Sequence, residues 1–411
     1  RSVSTSYLKC GIRINDLIIW RLNRQQSLTD ESSYKLLSSF VMERNNMKVS
    51  HKLFGLISVA MFSLFVLTAC TDETEEAVVE ETAVELKVPV AFSTELPSLG
   101  DGILYISDRI EALSSGSLTM TVYEPGKLVA ANEILDSVST GKINAGYATA
   151  GYWVGKMPAA PLFSAVPFGP DAAEYLAWLY YDDGMDLYQE MYDQAGYNVH
   201  VLLAAIIPPE TSGWFADEIN STADLDGLRM RFFGLGAEVM QKFGVQTSLL
   251  PGGEIFAALE KGAIDATEFS LPVVDQRLGF HKLVKHNYFP GWHQQATTFE
   301  LLINKDVWNG MSDRQRMVLE VISKASVADS FAHGEALEGA EIKKNVTDFG
   351  VTNHYWSDEM LAEYKAAWLE VVEEQKADPF FKKVWDDFSA FDEEYKYWSS
   401  IGYLPRPERP N

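Results

Sequence analysis

The sequence predicts an α/β protein of two facing lobes with a helical C-terminal tail, and three observations carry that expectation. A β-α-β-α-β alternation occupies residues 86–150 and restarts over 228–268. Several of its strands are apolar throughout, as in sheets covered on both faces. The last hundred residues keep a helical pattern with dense Glu, Lys and Trp. Size and composition agree: 411 residues suggest roughly two to three lobes, and 47% hydrophobic with 12% aromatic content supplies a large core.

In order, residues 86–92 (LKVPVAF) read as a buried opening strand and 103–114 (ILYISDRIEALS) as a helix with one apolar face. Residues 117–123 (SLTMTVY) alternate as a second strand, 133–140 form a short helix ending at Gly141, and 143–150 (INAGYATA) form a third strand. This alternation implies a parallel sheet with helices on its faces. A single long helical stretch spans 171–194, and 199–207 (VHVLLAAII) is a fully buried strand ended by Pro208 and Pro209. The second module has strands at 228–233, 246–249 and 263–268, with helices at 236–243 and 254–261 stopped by Gly244 and Gly262. Residues 299–303 (FELLI) are the return strand, and everything from there to Ser400 reads helical, a tail long enough to bridge lobes or pair subunits.

The charge is −24, which argues against nucleic acid as a partner. Lys48 and Lys52 precede an apolar run at 53–67 and the sequence Leu67-Thr68-Ala69-Cys70. That is the layout of a secretory signal, and the run is too short to span a bilayer. It resembles the lipobox of bacterial lipoproteins, which implies cleavage before Cys70 and lipid anchoring there. Residues 1–69 hold 9 Lys+Arg and 4 Asp+Glu, leaving 25 against 54 and a charge of −29. The expected organisation is a functionless upstream segment at 1–46, a signal peptide at 47–69 and an acidic tether at 70–85. Lobe 1 follows at 86–208 with a return segment at 296–330, lobe 2 at 209–295, and a helical region at 331–411.

Few motifs point to catalysis. Gly234-Leu235-Gly236 opens a helix after a strand, but Val239 stands where a dinucleotide fingerprint needs its third glycine. His281, His286 and His293 fit no zinc spacing and read as solvated or capping residues. No G-x-S-x-G elbow is present, and Cys10 and Cys70 lack a redox or metal spacing. Arg229 and Arg231 share one face of an apolar strand, where a guanidinium is costly unless it meets an anion. For Arg229 a structural ion pair is the better reading. Glu268 ends a strand at the carboxyl edge, where open α/β sheets place ligands; without further support it would be an exposed edge carboxylate.

Several segments carry a family resemblance: Gly213-Trp214-Phe215, DLDGLRMR at 224–231, ALEKGAIDA at 258–266 and Phe289-Pro290-Gly291-Trp292. Together they resemble the solute-binding proteins of tripartite ATP-independent periplasmic (TRAP) transporters, DctP type. YWVGK at 152–156, AVPFG at 165–169 and YFPGW at 288–292 make the chain most similar to the branch that binds 2-oxo and 2-hydroxy monocarboxylates with a metal ion. The resemblance implies a hinged two-lobed clamshell with helices crossing between lobes. It also implies an extracytoplasmic location, delivery of a small organic acid to membrane permease subunits, and no enzymatic turnover. Arg231 would pair with the ligand carboxylate. Glu268, the Phe269 carbonyl and Gln294 would hold the cation, joined by Glu210 where the family commonly has glutamine. Tyr152, Trp153 and Trp292 would wall the pocket. Glu210, Glu268, Arg231 and a monocarboxylate sum to −2, so calcium is expected, with sodium as the alternative. A polyol, another organic acid or a sensing role on the same fold stays open. An apolar stripe on the last helix (Phe380, Phe381, Val384, Trp385, Phe388, Phe391, Tyr395, Trp398) points to a homodimer or to packing on the chain's own lobes.

Overall fold

The computed structural model describes residues 81–404. The expected signal segment, Cys70 and the start of the acidic tether lie outside them. Strand β1 (Val84–Pro89) pairs in parallel with β2 (Leu118–Tyr123) across helix α1 (Asp101–Leu113), which buries Ile103, Ile106 and Ile110 at helical spacing. The tether is therefore shorter than expected. Val84 and Glu85 belong to β1, and Glu81 accepts from Ser312 Oγ and, at 2.7 Å, from Arg314 Nη1.

After α2 (Ile134–Ser139), strand β3 (Ala145–Ala148) adds to the lobe through a bridge between Val90 and Tyr147. Residues 171–194 are two helices rather than one, α3 (Ala172–Tyr181) and α4 (Gly184–Gln194). Asp182 is extended at the break, and a Cβ on Gly184 would lie 2.7 Å from Leu179 Cα, so the chain folds back too tightly for one continuous helix. Strand β4 (Val199–Ile207) completes this part of the lobe.

The second lobe has a six-stranded mixed sheet. It contains β5 (Gly213–Phe215), β6 (Arg229–Arg231), α5 (Gly234–Gln241), β7 (Gln246–Ser248), α6 (Gly252–Glu260), β8 (Ala266–Thr267), α7 (Pro272–Leu278) and β9 (His286–Phe289). The chain then returns through β10 (Thr297–Asn304), which inserts between β3 and β4 and runs antiparallel to both. The expected all-parallel sheets thus hold only in part, for β1–β2 and for β7–β6–β8. Strands that cross between lobes enter the next sheet from the opposite end and pair antiparallel.

Beyond α8 (Lys305–Gly310), the 37-residue helix α9 (Asp313–Phe349) is roughly 55 Å long, enough to span both lobes. At lobe 1 its small polar residues lie against β4: Ser326 Oγ donates to the Ala204 carbonyl at 2.6 Å and Ser330 Oγ to the Ile206 carbonyl at 3.1 Å. Gly334 passes so close to Pro208 that a Cβ would meet its ring at 2.7 Å. Farther on, Glu338 accepts from Val273 N of α7 at 3.2 Å. The tail is not wholly helical, because Gly350 ends α9 in the left-handed region and β11 (Thr352–Tyr355) pairs in parallel with β9 at the sheet edge. Its polar sequence carries no strand signal of its own, and β9 supplies the ladder. Helix α10 (Asp358–Gln375) then packs on α5, and α11 (Pro379–Gly402) returns to lobe 1, where Trp178 Nε1 donates to Asp387 at 2.8 Å.

Candidate functional site

The site forms where the carboxyl ends of β6 and β8 meet the lobe-crossing segments. Strand pairing sets Arg231 opposite Thr267, so Glu268 follows directly at the sheet edge. The two side chains are almost completely buried and form an ion pair: Arg231 Nη1 donates to Glu268 Oε1 at 2.8 Å and to the Glu268 carbonyl at 2.9 Å. Arg231 Nε donates to the Leu250 carbonyl at 3.1 Å, and Glu268 Oε1 also accepts from Phe233 N. Arg229, two residues earlier, pairs with Asp265 nearer the surface, as expected of a structural ion pair.

Glu210 arrives on the crossing after Pro208-Pro209. Its backbone N donates to the Gln294 carbonyl at 3.2 Å, and Gly291 permits the approach, since a Cβ there would lie 2.3 Å from the Glu210 carbonyl oxygen. Glu210 Oε1 accepts weakly from Thr297 Oγ1 at 3.5 Å, while Gln294 Nε2 donates to the same hydroxyl at 2.8 Å. His293, expected to be solvated or capping, is 1% exposed. Its Nε2 stands 3.6 Å from Glu268 Oε2 and 4.0 Å from Glu210 Oε2.

The arrangement is electrically unfinished. Glu210 Oε2, Glu268 Oε2, both nitrogens of His293 and Gln294 Oε1 are buried without a hydrogen-bond partner among the described residues. Burial, followed by the charges of Glu268 and Asp275, drives the Glu210 carboxyl well above its ordinary pKa. Burial also acts upward on Glu268, but Arg231, His293 and the Phe233 N–H outweigh it and hold that carboxyl below its ordinary value. Leaving several such atoms unpaired is expensive, so the cluster fits a positively charged occupant. Two carboxylate oxygens and an imidazole nitrogen within 4.8 Å of one another are a donor set that suits a metal ion.

Beside the cluster is a cavity of about 20 Å³, room for about one water-sized group. Tyr152, Glu210, Arg231, Phe269, Gln294 and Thr297 line it, so both lobes contribute. Tyr152 has a buried, unpartnered hydroxyl, and burial pushes its pKa up to about 12. The Phe269 ring lies beneath the guanidinium, 5.1 Å from its centre. A wider, mostly apolar cleft of about 820 Å³ shares Phe92, Tyr152 and Phe269 with this cavity and opens between the lobes.

Two expected wall residues lie elsewhere. Trp153 is wholly buried in lobe 1 and donates through Nε1 to Glu300 at 2.7 Å, because the short helical turn Ala150–Trp153 directs successive residues to different sides. Trp292 stacks on Phe168 and Tyr364, 5.5 and 5.0 Å between ring centres, and packs the surroundings of His293 rather than the cavity. His293 is the residue that sequence reasoning missed. No spacing connects it to Glu210 and Glu268, and its position beside Gln294 and the buried Trp292 was the only signal.

Two lobes joined by crossing strands and a long shared helix, with a buried charged site between them, define a clamshell solute-binding protein. Residues 92–378 match the model of the bacterial extracellular solute-binding protein family 7, DctP, and the chain belongs to this family, whose members bind solutes for transport and are not enzymes. The chain is 32% identical over 299 residues to the monocarboxylate 2-oxoacid-binding periplasmic protein of a Nostoc strain, covering 73% of this chain and 82% of that protein. It is 28% identical to a TRAP periplasmic solute-binding protein from Pseudoalteromonas atlantica solved with sodium and pyruvate, at TM-score 0.75, covering 78% of this chain and 97% of that one. A counterpart from Colwellia psychrerythraea, solved with calcium and pyruvate, is 29% identical at TM-score 0.74 and covers 78% and 98%.

Proposed function

We propose that this protein captures a small 2-oxo or 2-hydroxy monocarboxylate together with a metal ion, outside the cytoplasm, and hands it to the membrane permease of a TRAP transporter. The observation that carries the reading is the group of unpaired buried oxygens on Glu210, Glu268 and Gln294 beside the Arg231 guanidinium. A chelating carboxylate with a neighbouring oxygen, bound to a cation, complements both. Glu268, Glu210 and Gln294 would hold the cation through their side chains and Phe269 through its carbonyl, with Arg231 turned to the ligand carboxylate. In its present pairing Arg231 gives Nε and Nη1 to Leu250 and Glu268, so it also fixes the carboxylate that binds the metal. With Glu210 giving up its proton as the cation binds, two carboxylates, one guanidinium and a monocarboxylate leave −2, and oxygen donors that balance it with one ion suit calcium; with Glu210 protonated the sum is −1 and sodium suffices. Pyruvate in the two solved relatives, and 2-oxoacids in the Nostoc protein, support the ligand class.

The test is a thermal-shift and calorimetry series with pyruvate, lactate, longer 2-oxo acids and polyols, before and after chelation. Carboxylate binding abolished by chelator and restored by calcium is the expected result; a shift with polyols alone would refute the carboxylate reading, and chelator-insensitive carboxylate binding would refute the divalent ion.

Two attachments complete the proposal. Cys70 carries a lipid anchor, so Cys70→Ala should release the protein from the membrane fraction. Of the expected stripe, Phe381, Val384 and Phe388 are buried where α11 packs on the chain's own α3 and α4, while the end of α11 exposes Tyr397, Trp398 and Ile401, an apolar face suited to a second copy of the chain. Sedimentation as a monomer at micromolar concentration would refute the homodimer.

A further inference from the structure

The family reading accounts for the oxygen donors but leaves His293 without a role. We infer that His293 Nε2 is a direct ligand of the bound cation, which turns an all-oxygen site into a mixed oxygen–nitrogen one. This rests on the cation-and-carboxylate reading above.

Distance supports it first. Two ligands each about 2.1–2.3 Å from one ion lie roughly 3.0–4.5 Å apart, depending on the angle between them. The separations of Nε2 from Glu268 Oε2 and Glu210 Oε2, 3.6 and 4.0 Å, fall in that range and are too long for direct hydrogen bonds. Burial supports it second. All three atoms are unpartnered among the described residues, and the three residues are at most 3% exposed.

The ring is also built into place. Phe232 meets it edge-on at 4.9 Å and Trp292 at 5.6 Å between centres. Gly236, in the first turn of α5, makes room for it, because a Cβ there would lie 3.0 Å from His293 Cβ. Gly236 therefore leaves room for the Phe232 ring, which would lie 2.6 Å from that Cβ, as well as for His293. An imidazole held so that one nitrogen points between two carboxylates is a positioned donor.

The chemical consequence is selectivity. Oxygen donors by themselves favour calcium, whereas imidazole is a poor calcium ligand and suits iron, nickel, copper and zinc, with cobalt between iron and nickel in affinity. His293 thus shifts the preference of the site toward borderline divalent cations.

Cobalt(II) is the probe, added alone to the chelator-stripped protein with histidine nitrogen labelled. The expected result is one paramagnetically shifted, exchange-protected imidazole N–H signal from His293, since the buried Nδ1 is shielded from solvent. In His293→Gln that signal should vanish. Cobalt affinity should fall at least about tenfold, as losses at metal-site residues do, while calcium affinity changes less than about threefold. Absence of the signal in the unmodified protein, or equal losses for cobalt and calcium, would overturn the assignment. If His293→Gln does not fold, the spectrum of the unmodified protein still decides. Because cobalt is read before any carboxylate is added, failure of pyruvate to bind with any cation would refute the proposed function without touching this result. Conversely, pyruvate binding with calcium and no imidazole signal would refute only the role of His293.

Discussion

Glu300 in lobe 1 and the Glu210–Glu268 pair between the lobes are carboxylates buried to the same depth, yet their surroundings are opposite. Glu300 sits on β10 just after a register break, and both its oxygens are satisfied: Oε1 by Trp153 Nε1 at 2.7 Å, Oε2 by the hydroxyls of Tyr192 at 2.7 Å and Tyr188. Glu210 and Glu268 each keep one oxygen unpaired. A buried carboxylate surrounded by donors on every side is part of the framework, and one left half-satisfied beside others is shaped for an occupant. Burial by itself does not distinguish them; the deficit does.

Arg231→Ala removes the guanidinium that fixes Glu268 and that, in the proposed complex, turns to the ligand. Affinity for pyruvate should fall by about 2–5 kcal/mol, roughly 30- to 5,000-fold, by calorimetry. Unchanged affinity would place Arg231 in the framework class beside Glu300.

Asp275 tests whether full hydrogen bonding suffices to make a carboxylate structural. Ser270 N and Trp214 Nε1 bond its two oxygens at 3.1 and 2.8 Å, yet burial, with Glu268 nearby, raises its pKa from 3.8 to about 7. The folded state therefore holds this proton more tightly than the unfolded chain, and the contribution of Asp275 to stability declines as pH rises from about 4 to about 7. The decline is on the order of a few kcal/mol. Subtracting the stability–pH curve of Asp275→Asn from that of the parent should reveal this downward slope; a flat difference would show that its bonds fully offset burial.

Glu300→Gln places an amide NH₂ against donors and should cost about 1–3 kcal/mol of stability, with ligand affinity unchanged in the folded fraction. A loss of affinity at equal fold would break the division between framework and site. The smallest expected effect is that of Glu210→Gln. Removing one negative charge should narrow the preference for calcium over sodium by about tenfold, about 1.4 kcal/mol, in chelator-controlled titrations. An unaltered preference would remove Glu210 from the cation's donors.

Much of this molecule was legible before folding. The alternation of strands and helices, the apolar strand at 199–207, a structural ion pair for Arg229 and the family motifs are local patterns, set by side-chain periodicity and by short runs that report their own surroundings. The strand ends that carry Arg231 and Glu268 were legible in the same way, but only the family motifs marked the two residues as a site, since Glu268 by itself reads as an exposed edge carboxylate.

Other features have no local signature. β11 is a strand because β9 offers it a ladder, and β10 runs antiparallel because it returns from the other lobe. Trp153 left the expected pocket because Glu300, nearly 150 residues away, needed a donor. His293 stands beside the two carboxylates because chain crossings brought it to Glu210, more than eighty residues distant, and to Glu268 across the sheet edge. Periodicity specifies which face a residue takes. Which unsatisfied atom waits on that face depends on contacts between distant segments, and those exist only after the lobes have closed around them.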